Sequence, residues 1–131
     1  MYLLDTHSLI WSLLDPEKLA KSHQDILRST EVRKFFSGIS VWEISLKFQL
    51  GKLDLGGHTP EEFLAAAIDL GFQVVSPGPE VFASFYRLKL TQIHKDPFDR
   101  MLIWQALKDD MTLISYDSKM SQYELQGLKL A

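Results

Sequence analysis

Residues 96–117 read DPFDRMLIWQALKDDMTLISYD, and this stretch decides the fold. Aspartate is favoured as the cap before a helix, and proline at its first position. Asp96-Pro97 therefore opens a helix, expected to run to about Asp110. Thr112 to Tyr116 then reads as a strand, and Asp117 follows its carboxyl end.

The same alternation holds back to the amino terminus. Tyr2 to Leu4 is a short apolar run ending in Asp5-Thr6, a strand followed by a cap or turn. His7 to Leu14 carries Leu9, Ile10, Trp11, Leu13 and Leu14, which predicts a largely buried helix, broken at Asp15-Pro16. Glu17 to Ser29 is polar with Leu19, Ala20, Ile26 and Leu27 on one stripe, a surface helix. Arg33 to Ile39 reads as a second strand. Ser40-Val41-Trp42-Glu43 has the form of a capping box, opening a helix to about Leu50 that Gly51 ends. Thr59-Pro60-Glu61-Glu62 starts a helix reaching Leu70, and Phe72 to Val75 is a third strand. Glu80 to Leu90 has helical spacing, and Leu128 to Leu130 reads as a short fifth strand. Strands alternating with helices predict an α/β domain with a mainly parallel sheet covered on both faces. With no linker or repeat, residues 1–131 are expected to form a single domain.

Composition narrows the function. The chain has 131 residues, 46% hydrophobic and 24% charged, which suits a globular domain with a core of its own. It has no cysteine, which excludes disulfides, thiolate metal sites and cysteine nucleophiles, and suits a reducing cytoplasm. No signal sequence opens it, and no apolar run approaches the roughly 20 residues of a membrane span. Fourteen Lys+Arg against seventeen Asp+Glu give a net charge of −3. That balance argues against a binder that relies on many phosphate contacts. It leaves room for a nuclease, because divalent ions supply positive charge locally.

Four acids fall on one predicted edge. Asp5 and Asp117 follow strand ends, whereas Glu43 and Asp99 are expected in the first turns of helices. In a right-handed βαβ unit the helix runs back against the strands, so its amino end lies on that same edge. Each acid also has a local reading. Asp5, Asp99 and Asp117 suit helix or turn caps, and Glu43 suits the capping box or a pair with Lys47. Capping alone does not explain four carboxylates on one rim. Two held ~4 Å apart repel by about 1 kcal/mol in water, and by about 4 kcal/mol at an effective dielectric near 20. A hard divalent ion relieves that repulsion. Two such ions would serve phosphodiester cleavage, one activating water and one holding the leaving oxygen. Asp5 and Asp99 lead as direct ligands, with Glu43 and Asp117 at a second ion or acting through water.

These segments resemble a known family. Leu3-Leu4-Asp5-Thr6-His7, Ser40-Val41-Trp42-Glu43-Ile44 with Lys47, His94 through Ile103 and Leu113 through Asp117 occur in the order seen in PIN-domain nucleases. The chain is most similar there to the VapC-like toxin ribonucleases of type II toxin–antitoxin pairs. The Asp96-Pro97-Phe98-Asp99-Arg100 block is the most specific match. The resemblance implies a five-stranded parallel sheet in the order 3-2-1-4-5 and endoribonuclease activity with Mg²⁺ or Mn²⁺. It implies that Asp5, Glu43, Asp99 and Asp117 form the acidic site. It also implies an RNA substrate, a homodimer and a cognate antitoxin. Such toxins often carry an aromatic residue three places after the fourth acid. Met120 stands there instead, and reads as packing.

Other residues have double readings. His7 and His94 fall near the site, but magnesium prefers oxygen, so hydrogen bonding is the leading role for both. Thr6, Asp96 and Ser115 are candidates to orient the carboxylates. Lys95, Arg100 and Lys119 suit either RNA phosphates or solvated surface. Trp11, Trp42 and Phe48 are expected mainly in the core. A competing function is a non-catalytic module whose acidic groove grips a basic peptide. A phosphatase of the haloacid-dehalogenase type ranks low, because His7 stands where its second aspartate belongs.

Overall fold

The computed structural model describes residues 1–91 and 94–131. Five strands form one parallel sheet: β1 (Tyr2–Leu4), β2 (Lys34–Ser37), β3 (Gln73–Val75), β4 (Thr112–Ile114) and β5 (Lys129–Leu130). Their order is β3-β2-β1-β4-β5, as the resemblance implied. The central register pairs Leu4 with Phe36 on one side and with Ile114 on the other.

Successive strand residues point to opposite faces, and both faces here are apolar. Leu3, Phe35 and Leu113 belong to one core with Met101, Leu102 and Trp104 of α6 (Pro97–Lys108). Leu4, Phe36 and Ile114 belong to the other. That second core takes Leu9 and Ile10 from α1 (Thr6–Leu14), Ile44 from α3 (Gly38–Gln49) and Phe63 from α4 (Pro60–Asp69). Helices therefore cover the sheet on both sides.

Three expected elements differ. The surface helix over 17–29 is split into a 3-10 turn, Pro16–Lys18, and α2 (Lys21–Arg28). Leu19 between them is extended and buried, and its carbonyl accepts from Gln24 Nε2 at 2.9 Å. The anchoring of one leucine in the core outweighs helical continuity. The helix over 80–90 ends early, as α5 (Pro79–Ser84) and a 3-10 turn, Phe85–Arg87. Here Trp104 Nε1 donates to the Val81 carbonyl at 3.0 Å, diverting an acceptor from the helical ladder. The third difference lies at α3. Ser37, not Ser40, is its cap and accepts from the Ile39 amide at 3.1 Å, so no capping box joins Ser40 to Glu43. The second strand correspondingly stops at Ser37. Gly38 permits this early start, because a β-carbon there would collide with Ser76 Oγ.

After Asp117 the chain forms a 3-10 run, Ser118–Gln126, closed by Gly127 at φ 102°. Met120 and Tyr123 on this run are fully buried, so Met120 does fill core. Among the described residues no helix is long and apolar enough to cross a membrane.

Candidate active site

The carboxyl ends of β1 and β4 are neighbours, and each delivers an acid. Asp5 follows β1 and caps α1, its Oδ1 accepting from the Ser8 amide at 2.8 Å. Asp117 follows β4 and accepts from the Lys119 amide at 2.9 Å. Asp99 lies in the first turn of α6, where Asp96 caps its amide at 3.0 Å. Glu43 reaches the site from the second turn of α3 rather than the first, since the helix begins at Gly38.

Asp99 feels the charge of the other three acids. Asp99 is pushed up to about 7, first by burial and then by Asp96, Asp5, Glu43 and Asp117 in that order. Asp5 is also raised, because burial outweighs the opposing hydrogen bonds from Ser115 and Ser8. Asp5 and Glu43 are almost wholly enclosed, at 3% and 2% exposure. For Asp5 that enclosure favours the neutral acid unless a cation stands nearby.

Each carboxylate has one oxygen tied down. Asp5 and Asp117 use theirs on backbone amides, Glu43 pairs through Oε2 with Lys47, and Asp99 Oδ2 lies 3.4 Å from His94 Nε2. Capping and site formation therefore coexist, since a cap occupies only part of a carboxylate's acceptor capacity. Glu43 Oε1 is buried without a hydrogen-bond partner.

Two side chains join the acids. Lys47 pairs with Glu43, as the spacing of four residues allowed. Burial opposes its charge, but Glu43, with Asp96 and Asp99 behind it, holds its ammonium above the ordinary range. His94 lies at the site in the hydrogen-bonding role expected of it. It is buried, with Nδ1 2.9 Å from the Tyr123 hydroxyl. If Nδ1 accepts from Tyr123, Nε2–H faces Asp99. Burial pushes the imidazole below its usual range, against the pull of Asp117 and Asp96. Donor atoms of His94, Asp99 and Asp117 all lie within 4.8 Å of one another, the one such trio among the described residues. The pull of Tyr123, far along the chain, has no local sequence signal.

The supporting residues divide. Ser115 acts on Asp5 and also accepts from the Asp117 amide at 3.1 Å. Thr6 instead donates to Ser40 Oγ at 2.9 Å, locking α1 to α3. Arg100 is not a surface cation. It is buried, donates to the Leu88 carbonyl at 2.9 Å and lies over the Phe85 ring. Lys95 and Lys119 are exposed. Trp42 and Phe48 also lie outside the core, Trp42 at 61% exposure.

Residues 2–125 match the PIN domain. The chain belongs to the PIN domain family. Solved structures share the fold of this PIN domain. A chain of VapBC2 from Rickettsia felis, crystallised with a DNA fragment from its promoter, has a TM-score of 0.69 at 14% identity, over 99% of this chain and 96% of that one. A chain of FitAB bound to an IR36 DNA fragment gives 0.70 at 18%, over 100% and 94%. A chain of VapBC-1 from nontypeable Haemophilus influenzae gives 0.67 at 20%, over 99% and 96%. At these identities the likeness is one of fold. No curated protein matches the chain.

Proposed function

We propose that this PIN domain is a metal-dependent endoribonuclease, the toxin of a toxin–antitoxin pair, and that Asp5, Glu43, Asp99 and Asp117 form its catalytic site. One observation carries the reading: donor atoms of Asp99, Asp117 and His94 lie within 4.8 Å of one another, at a place where burial first, and then the neighbouring acids, push the Asp99 carboxyl up to about 7. Left alone, such a site protonates or destabilises the fold. A divalent cation resolves the conflict by favouring the charged carboxylate.

The residues present fit such an ion. The donors are mostly carboxylate oxygens, which suit Mg²⁺ and Mn²⁺, and the single imidazole of His94 suits Mn²⁺ in particular. The unpartnered Glu43 Oε1 is a buried acceptor in want of a positive neighbour. Asp99 and Asp117 would hold the ion, with His94 beside them and Asp5 and Glu43 adding charge. The chemistry such an ion supplies is activation of water and stabilisation of the leaving oxygen. The chain's own part is to hold the acids ready. The Ser8 and Lys119 amides fix the Asp5 and Asp117 carboxylates, and Asp96 accepts from the Asp99 amide and anchors that residue's backbone, so little reorganisation remains when substrate binds.

The toxin reading draws on the VapBC and FitAB complexes, whose chains share this fold. Those complexes support a cognate antitoxin for this chain, and the exposed Trp42 beside an apolar groove supports a homodimer. The test is incubation of the purified chain with structured RNA in Mn²⁺ or Mg²⁺. Cleavage is expected, with loss in EDTA and in Asp5→Asn and Asp99→Asn. Cleavage that persists in EDTA or in both variants refutes the mechanism.

One observation favours a second reading. Lys47 already places an ammonium against Glu43, so a basic side chain fits this rim. A non-catalytic groove for a basic peptide would show peptide-dependent stabilisation and no rise in melting temperature with millimolar Mn²⁺.

A further inference from the structure

Two features flank the acids, and His7 belongs to both. The first is a cavity of about 270 Å³ whose lining includes Thr6, His7, Glu43, Lys47 and Lys52. Small-ligand pockets begin at roughly 300 Å³, so this one suits a single small group. Its Lys52, just beyond α3, is exposed and in no ion pair among the described residues.

The second feature is an aromatic step. Trp11 and Tyr116 pack with ring centroids 4.5 Å apart, and His7 stands 5.5 Å from Tyr116 and 5.8 Å from Trp11. Tyr116 is 52% exposed, although it directly precedes Asp117. Two rings behind it hold the Tyr116 ring in place, so little side-chain entropy is left to lose when something stacks on it.

We propose that this face is a subsite for one unpaired nucleotide of RNA, its phosphate held by Lys52 and Lys47 and its base stacked on Tyr116. The substrate class rests on the nuclease reading above. The charge pattern favours RNA over a basic peptide. Glu43 in the lining is already matched by Lys47, which leaves Lys52 as the charge unpaired among the described residues, and an unpaired ammonium complements a phosphate rather than a second cation. Stacking asks only for an open base face, which a duplex hides and a loop or single strand offers.

The test uses the full chain carrying Asp99→Asn, so that turnover does not intervene, and a short labelled oligouridylate followed by anisotropy. Tyr116→Ala is expected to weaken binding roughly tenfold, and Tyr116→Phe to keep it, since base stacking needs the ring alone. Lys52→Ala is expected to weaken binding several-fold and to reduce the salt slope by about 0.7, the share of one phosphate contact on a single strand. Both positions are exposed, and melting curves check that the variants fold. Unchanged oligouridylate affinity in Tyr116→Ala and Lys52→Ala overturns the subsite. So does a loss confined to an oligoarginine peptide, which marks a protein-binding face. Cleavage by the unmodified chain in Mn²⁺ is scored separately. Binding losses without any cleavage uphold the subsite and refute the nuclease, whereas cleavage with unchanged affinities refutes the subsite alone.

Discussion

Asp99 concentrates the conflict within the site. Its carboxyl is raised from 3.8 to about 7, so the native state binds more protons than the unfolded chain between those values. Metal-free stability therefore falls as pH rises through that window, by at most about 4 kcal/mol at 1.36 kcal/mol per unit. His94 acts with the opposite sign, because its lowered value costs stability as pH falls. Asp99→Asn removes only the first effect. Melting curves in EDTA should show the variant level with the parent near pH 4 and several degrees above it at pH 7.5. Mn²⁺ should close that gap by stabilising the parent alone. Lys47 supports the same site from the other side. Lys47→Met leaves Glu43 buried without its ion-pair partner, and should cost about 1–2 kcal/mol by denaturant unfolding, discounted because Lys47 is partly exposed. Glu43→Gln in the same chain should recover most of that loss. The acids and the Glu43–Lys47 spacing were legible as residues. His94 was legible as a neighbour of the site, but its contact with Tyr123 was not, because that partner lies far along the chain.

At the scale of elements, α6 owes its start to Asp96, and the charge of the same residue helps to raise the Asp99 carboxyl. The two roles separate by substitution. Asp96→Ala should lose the cap and about 1 kcal/mol. Asp96→Asn should keep the cap while the Asp99 carboxyl, followed by NMR titration, moves down. Thr59 offers a control, since it forms a capping box with Glu62 at the start of α4. Thr59→Ala should cost a similar amount without altering RNA cleavage. Helix starts marked by proline, Pro60 and Pro97, were readable because the signal is local. The start of α3 was misplaced for a tertiary reason. Ser37 and Ser40 both suit a cap, and the close approach of Gly38 to Ser76 on another segment decides for Ser37. Glu43 consequently moves one turn deeper into its helix, without leaving the site.

At the scale of the whole molecule, Trp42 is the clearest sign of a missing neighbour. It meets Phe98 edge to face, ring centroids 5.1 Å apart, yet stays largely exposed beside an apolar groove with Phe82 and Met101. Sedimentation should report two copies for the parent chain and one for Trp42→Glu, and a parent that sediments as a single copy counts against the homodimer. Taken alone, the sequence determined the alternation of strands and helices, the parallel sheet and the chain positions of four acids. Those follow from hydrophobic period, caps and breakers, which act over a few residues. Only the tertiary structure decided that Asp99 and Asp117 share donor reach with His94 and that Arg100 is interior. It also decided that Tyr116 faces outward on a braced aromatic step. Desolvation and charge act through space, and the distances that govern them belong to the packed molecule rather than to spacing along the chain.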